Sequence, residues 1–134
     1  MKKDIQIPEL ENVFMAVVKE YNDEFQCEDW NVYLINDKEE DLEMILIVSK
    51  GYDEDKLIET SVMRKTLKQL PAKSFAKIEL IQPDLFKLTN FFNTTFFVRN
   101  TMYEKKFEFE KNTIKEGALR VIKQMGTKEG IISK

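Results

Sequence analysis

The stretch Tyr103–Lys111, YEKKFEFEK, alternates without a break, with Tyr103, Lys105, Phe107 and Phe109 on one side and Glu104, Lys106, Glu108 and Glu110 on the other. Successive side chains of an extended chain point to opposite faces, so this is the pattern of a strand with one buried and one wetted face. Just upstream, FFNTTFFV at 91–98 places Phe92, Thr94, Phe96 and Val98 on one face and Phe91, Asn93, Thr95 and Phe97 on the other. Phenylalanine on both faces demands cover on both. The intervening Arg99–Met102 is short enough for a hairpin turn, with Asn100 best able to accept a positive φ, so the two runs are expected to pair antiparallel.

The same logic predicts strands at 13–21 (VFMAVVKEY), 29–37 (DWNVYLIND), 41–49 (DLEMILIVS) and 74–82 (SFAKIELIQ), each rich in β-branched or aromatic residues and bounded by polar clusters. Lys38, Glu39 and Glu40 read as a hairpin loop between the second and third of these. In 41–49, Leu42, Met44, Leu46 and Val48 share one face and Ile45 and Ile47 the other, which implies a central strand covered on both sides. Pro83 ends the run at 74–82. The segment 57–70 fits neither period, leaving strand and helix nearly even. Near the C-terminus, Thr113 and Glu116 have the form of a capping box, and Ile114, Ala118, Leu119, Ile122 and Met125 lie roughly on one helical face, which supports one short C-terminal helix. Gly117 within it weakens that helix by about 1 kcal/mol against alanine. The tail GTKEGIISK is expected to be frayed or edge-paired. Six or seven closely spaced strands give a mostly β chain, and the expected fold is an antiparallel β-sandwich of about seven strands in a single domain, 1–134.

Length allows that domain a real core: a chain of 134 residues buries roughly two thirds of its unfolded surface. Lys2 and Lys3 are followed by no apolar run, so a secretory leader is not expected. No apolar window approaches the length of a membrane span; MILIV at 44–48 is strand-sized. Cys27 is the one cysteine and suits a reducing compartment, so a cytoplasmic location without membrane attachment is expected. Charge is uneven: residues 1–67 carry 17 acids and 8 bases (−9), and 68–134 carry 7 and 13 (+6). The plain reading is that strands of the two halves are neighbours and their charges compensate; the sharper one is self-association or steering of a charged partner.

Histidine is absent altogether, which excludes Ser-His and Cys-His nucleophiles, histidine general bases and every histidine-containing metal site. One cysteine cannot build a thiolate cluster or a dithiol pair, and the four glycines form no phosphate-cradling loop, so no cofactor is implied. Ser74-Phe75-Ala76-Lys77 matches S-x-x-K in letters only, at about the rate chance allows. The acids flanking Cys27 should raise its pKa and leave it inert. Two acidic loops, around Asp37 and Asp41 and around Asp53–Asp55, have oxygen ligands of the kind Ca²⁺ or Mg²⁺ takes, but without EF-hand spacing; Asp37, Asp41, Asp53 and Asp55 are the metal candidates, beside the plainer reading of solvated loop tips. Nucleic-acid binding is disfavoured by the net charge of −3 and by the lack of an RNA-recognition strand pattern. What stays open is the doubly aromatic strand, where Phe91, Phe97 and the adjoining Arg99 are candidates for contact with a partner.

WNVYLIN (30–36), EMILIVSKGYD (43–53), KSFAKIELI (73–81) and FEFEKN (107–112), with KDIQIPE near the start, resemble a small family of uncharacterised bacterial proteins of similar length, some of them labelled as the alpha subunit of phenylalanyl-tRNA synthetase. The resemblance spans nearly the whole chain and implies one intact domain. It transfers no catalytic residue: the arginine-bearing and glycine-rich motifs of a class II synthetase have no counterpart around Arg64, Arg99 and Arg120. The expected function is therefore non-catalytic protein binding or self-assembly, as a homo-oligomer or with a protein partner. A tRNA-synthetase-associated or RNA-linked accessory role and a cation-dependent hydrolase using the loop carboxylates are the alternatives.

Overall fold

A computed structural model of the chain describes residues 11–53, 55 and 57–133. KDIQIPE near the start, Glu54 in the second acidic loop and Lys134 lie outside the described residues. Ten strands are present among those described: β1 (Val13–Asn22), β2 (Cys27–Asn36), β3 (Leu42–Asp53), β4 (Ile58–Glu59), β5 (Met63–Leu70), β6 (Ser74–Leu80), β7 (Thr89–Val98), β8 (Thr101–Phe109), β9 (Arg120–Val121) and β10 (Glu129–Ile132). Seven of them have seven residues or more, and the other three are short additions at sheet margins. All pairings are antiparallel.

The strands form two sheets packed as a sandwich. The first runs β6-β2-β1-β10-β9; the second has β3 at its centre, with β4 and β5 along one side and β7 then β8 on the other. Met15, Val17, Val32 and Leu34 from the first sheet meet Ile45, Ile47, Phe92, Phe96, Phe107 and Phe109 from the second in one buried cluster. Each such side chain contributes about 1.5–3 kcal/mol by leaving water. Phe92 and Phe109 add an edge-to-face contact with ring centroids 5.9 Å apart.

The hairpin β7–β8 forms as its alternation requires, in continuous register from Asn90 opposite Phe109 to Val98 opposite Thr101. Its turn is two residues, and the positive φ falls on Arg99 (60°) rather than on Asn100. By contrast, 38–40 is no hairpin loop. β2 bonds to β1 and β6, whereas β3 lies in the other sheet, so this loop carries the chain between sheets. Asn36 holds that corner: wholly buried, it donates through Nδ2 to the carbonyls of Glu40, Leu70 and Pro71 and accepts from the Lys38 amide through Oδ1. One side chain thus ties together both crossings at this end of the sandwich.

Two bulges redirect side chains. In β3 the register against β7 shifts between Glu43 and Leu46, with Met44 at φ 50°. An extra residue there reverses the alternation, so Leu42 is buried with Ile45 and Ile47 instead of sharing a face with Leu46 and Val48. The expected cover on both sides also fails, since Met44 is 71% and Leu46 37% exposed. In β6 the register against β2 shifts between Val32 and Tyr33, which pair with Glu79 and Lys77.

The segment 57–70 contains β4 and β5. Its weak periodicity has a simple cause: β5 is a margin strand with only Leu70 buried and Leu67 partly so. The predicted C-terminal helix does not form. Glu116–Ala118 and Lys123–Met125 are single 3-10 turns flanking β9, and Thr113 Oγ1 donates to the Glu110 carbonyl, not to a helix start. Its apolar residues serve two different clusters: Ile114 enters the inter-sheet core, while Ile122 and Met125 lie on the outer face of the first sheet against Ala16, Val18, Tyr33 and Ile35. The tail after them is paired, with Gly130 buried opposite Val18.

Charge compensation between the halves of the chain is visible in the ion pairs. Among the described residues, seven of nine salt bridges join residues 11–67 to residues 68–133, including Lys73 with Asp37 and Glu39, Arg99 with Glu40, Lys111 with Asp53 and Asp55, and Lys128 with Glu20.

Candidate functional site

The two outer faces of the sandwich differ. That of the first sheet is covered in part by the chain itself, through Ile122 and Met125 and through a polar group in which Glu20 accepts from Asn31 (2.8 Å), Tyr33 (2.6 Å) and Lys128, with Phe75 and Ile132 left partly exposed. Burial opposes the Glu20 charge, but those three donors outweigh it and hold the carboxyl below its ordinary range; burial first, then Glu20, push the Tyr33 hydroxyl strongly upward.

The outer face of the second sheet is open and mixed, an apolar group set beside Lys50, Asn93, Glu104, Lys106 and Glu108. It carries Met44, Leu46 and Val48 of β3, Phe91, Thr95 and Phe97 of β7 and Met102 of β8, and Met102 is 59% exposed. Of the partner candidates, Phe91 is half-buried because Tyr52 stacks on it at 5.1 Å and the Lys106 ammonium sits 3.9 Å from its ring centroid. Phe97 is half-buried beside Met102 on the neighbouring strand. Arg99 stands at the turn, largely exposed, 3.4 Å from Glu40. The structure brings Phe91 and Phe97 onto one face and puts Arg99 at its end. Met44 and Met102 were not among the candidates, although alternation places Met44 beside Leu46 and Val48, where it lies; the residue that the bulge takes off this face is Leu42.

The four metal candidates divide into two places, one at each end of β3. Asp37 accepts from Lys73 (3.2 Å) and from Gln124 (3.3 Å), which keep its carboxyl below the usual range. Asp41 accepts from Gln69 and from the Ala72 amide, so both loop acids are used to tie loops together. At the other end, Lys111 lies 3.5 Å from Asp53 and 3.1 Å from Asp55. No group of three metal-binding side chains is assembled among the described residues.

Cys27 is free and exposed at the start of β2, where desolvation and the Asp29 carboxylate raise its pKa. Ser74 stands on a strand and donates to the Pro71 carbonyl.

A second concavity lies between the sheets where β5 and β6 diverge. It measures about 270 Å³ and is lined by Ser49, Gly51, Met63, Glu79, Asn90 and Phe92 among others. Plain alternation along SFAKIELIQ would turn Glu79 outward; the β6 bulge turns it into this cleft, where its carboxylate accepts from Ser49 Oγ at 3.1 Å. Desolvation raises its pKa, and the Ser49 bond only partly counters that.

No family model, curated protein or solved structure matches this chain. No helix among the described residues is long and apolar enough to cross a membrane.

Proposed function

We propose that this domain acts by binding rather than catalysis, in a reducing intracellular compartment, and that the outer face of its second sheet docks a second copy of the same chain. The observation that carries this reading is the asymmetry of the sandwich: the chain's own C-terminal segment packs Ile122 and Met125 on one outer face, while no segment among the described residues crosses the other, which leaves Met44 and Met102 more than half exposed beside Phe91 and Phe97. Exposed apolar side chains grouped on one face and rimmed by polar ones favour association.

Charge and size favour self-association in particular. Arg64 and Lys68 line the β5 flank of the face, and Glu104 and Glu108 line the β8 flank on either side of Lys106, whose ammonium lies over Phe91. A two-fold axis parallel to the strands lays each β5 flank over the partner's β8 flank, so Arg64 and Lys68 come over Glu104 and Glu108 on both sides. Four strands spaced about 4.8 Å apart and some 30 Å long give a footprint of roughly 570 Å² in plan, near the ~800 Å² of accessible surface per partner in a stable interface once side-chain relief is included.

Cross-linking tests the geometry. Asn93 is exposed on β7, near the proposed axis, and Val121 is exposed on β9 of the other sheet. With Cys27→Ser as background, a short bismaleimide should join Asn93→Cys chains into dimers and leave Val121→Cys chains monomeric. Equal cross-linking of the two variants contradicts this docking face.

A further inference from the structure

We propose that the cleft between β5 and β6 is a binding site for a small protonated amine, anchored by Glu79. Three features of the molecule converge on this.

The first is how the carboxylate is placed. A β-bulge turns Glu79 toward the space between the sheets, beside Ser49 and Phe92, and bulges are a recurrent means of aiming a functional side chain. The second is the missing counter-charge. Glu20, Asp37 and Asp53 have lysines beside them, Lys128, Lys73 and Lys111, whereas Glu79, desolvated in the cleft, forms no ion pair among the described residues. Lys50 also lines the cleft, but its ammonium is engaged by Glu59 at 3.4 Å. A desolvated carboxylate with one neutral hydroxyl donor is a site poised for a cationic donor.

The third is the wall around it. Asn90 commits its Nδ2 to the carbonyls of Leu85 and Leu88, so its amide oxygen is the free end of that side chain. That oxygen lies 2.9 Å from where a Cβ on Gly51 would sit, so glycine keeps this part of the cleft open. Thr60 Oγ1 is already used, accepting from the Gly51 amide and donating to the Ser61 carbonyl. The site therefore offers acceptors in Glu79 and Asn90, and apolar surface in Phe92, Met63 and Leu85. At about 270 Å³ the cleft is near the lower bound of small-molecule sites, which suits a short alkylammonium: the ammonium on Glu79, the chain against Phe92 and Met63.

The test is a titration of the full chain with n-butylammonium, followed by amide chemical shifts at pH 7.5. The expected result is saturable shifts centred on Ser49, Gly51 and Asn90 with a dissociation constant of about 1–10 mM, as befits five heavy atoms. Glu79→Gln, checked for folding by its thermal melt, should weaken binding at least tenfold, and butyrate should produce no shifts in this region. Shifts that do not saturate, that appear elsewhere, or that persist unchanged in Glu79→Gln overturn the proposal. The dimer proposed above concerns the opposite face of the second sheet, so either result leaves the other standing.

Discussion

Ser49 on β3 and Glu79 on β6 belong to different sheets, and their 3.1 Å hydrogen bond is a polar link across the otherwise apolar interior at the mouth of the sandwich. Burial raises the Glu79 pKa above its ordinary 4.5, so in that window the folded chain binds a proton more readily than the unfolded one. Stability from this group is therefore full below pH 4.5 and falls as pH rises through the folded pKa. Glu79→Gln, which keeps an acceptor for Ser49, should raise the melting temperature by roughly 1–2 °C at pH 7.5, allowing for solvent screening, and lose that advantage below about pH 4. Paired thermal melts across this range check the sign.

Glu20 behaves in the opposite sense. Its depressed pKa means that its bonds to Tyr33, Asn31 and Lys128 stabilise the fold above the unfolded pKa and weaken as pH falls through the folded value. Lys128→Met should lower stability at pH 7 by about 1–2 kcal/mol, since it leaves a half-buried carboxylate short of its cation, and should shrink the acid-dependent loss. Urea denaturation at pH 7 and pH 3.5 separates the two effects.

Gly130 is a packing requirement. A Cβ there would lie 2.5 Å from the Val17 carbonyl and 2.8 Å from Ile122 Cδ1, between the first sheet and the segment that covers it. Gly130→Ala should cost about 2–4 kcal/mol and loosen the C-terminal cover, because a backbone oxygen cannot move aside as a side chain can. Hydrogen exchange should rise first at 120–132.

Much of the fold was legible because alternation is a direct consequence of strand geometry. YEKKFEFEK and FFNTTFFV pair in the register their faces require, and Phe92 and Phe107 are buried while Phe91 and Phe97 face outward. What escaped notice was set by tertiary context. The bulges at Met44 and beside Glu79 break the alternation by one residue and have no composition signal, while β3 appeared covered on both sides because Leu46 and Val48 are as apolar as Ile45 and Ile47 opposite them. The false helix came from five apolar residues whose spacing suited one face, although the chain divides them between two clusters. The supposed hairpin at 38–40 is a crossing between sheets, because a three-residue loop suits either and the decision rests with Asn36 and the carbonyls it reaches.

That corner supplies a further prediction. Asn36→Ala leaves the Glu40, Leu70 and Pro71 carbonyls without their shared donor in a buried position, and should cost about 2–4 kcal/mol. Asn36→Asp should do at least as much harm, since it replaces the donor by a charge. Urea midpoints of the two variants against the parent chain are the measure.

The central claim, that the open face of the second sheet docks a second copy, is tested most directly by sedimentation equilibrium over a dilution series, with Leu46→Glu as comparison. The parent chain should pass from dimer to monomer on dilution through the micromolar range, and Leu46→Glu, on the exposed side of β3, should stay monomeric while retaining its fold. A parent chain that remains monomeric up to roughly millimolar concentration, or a Leu46→Glu chain that associates as strongly as the parent, contradicts it.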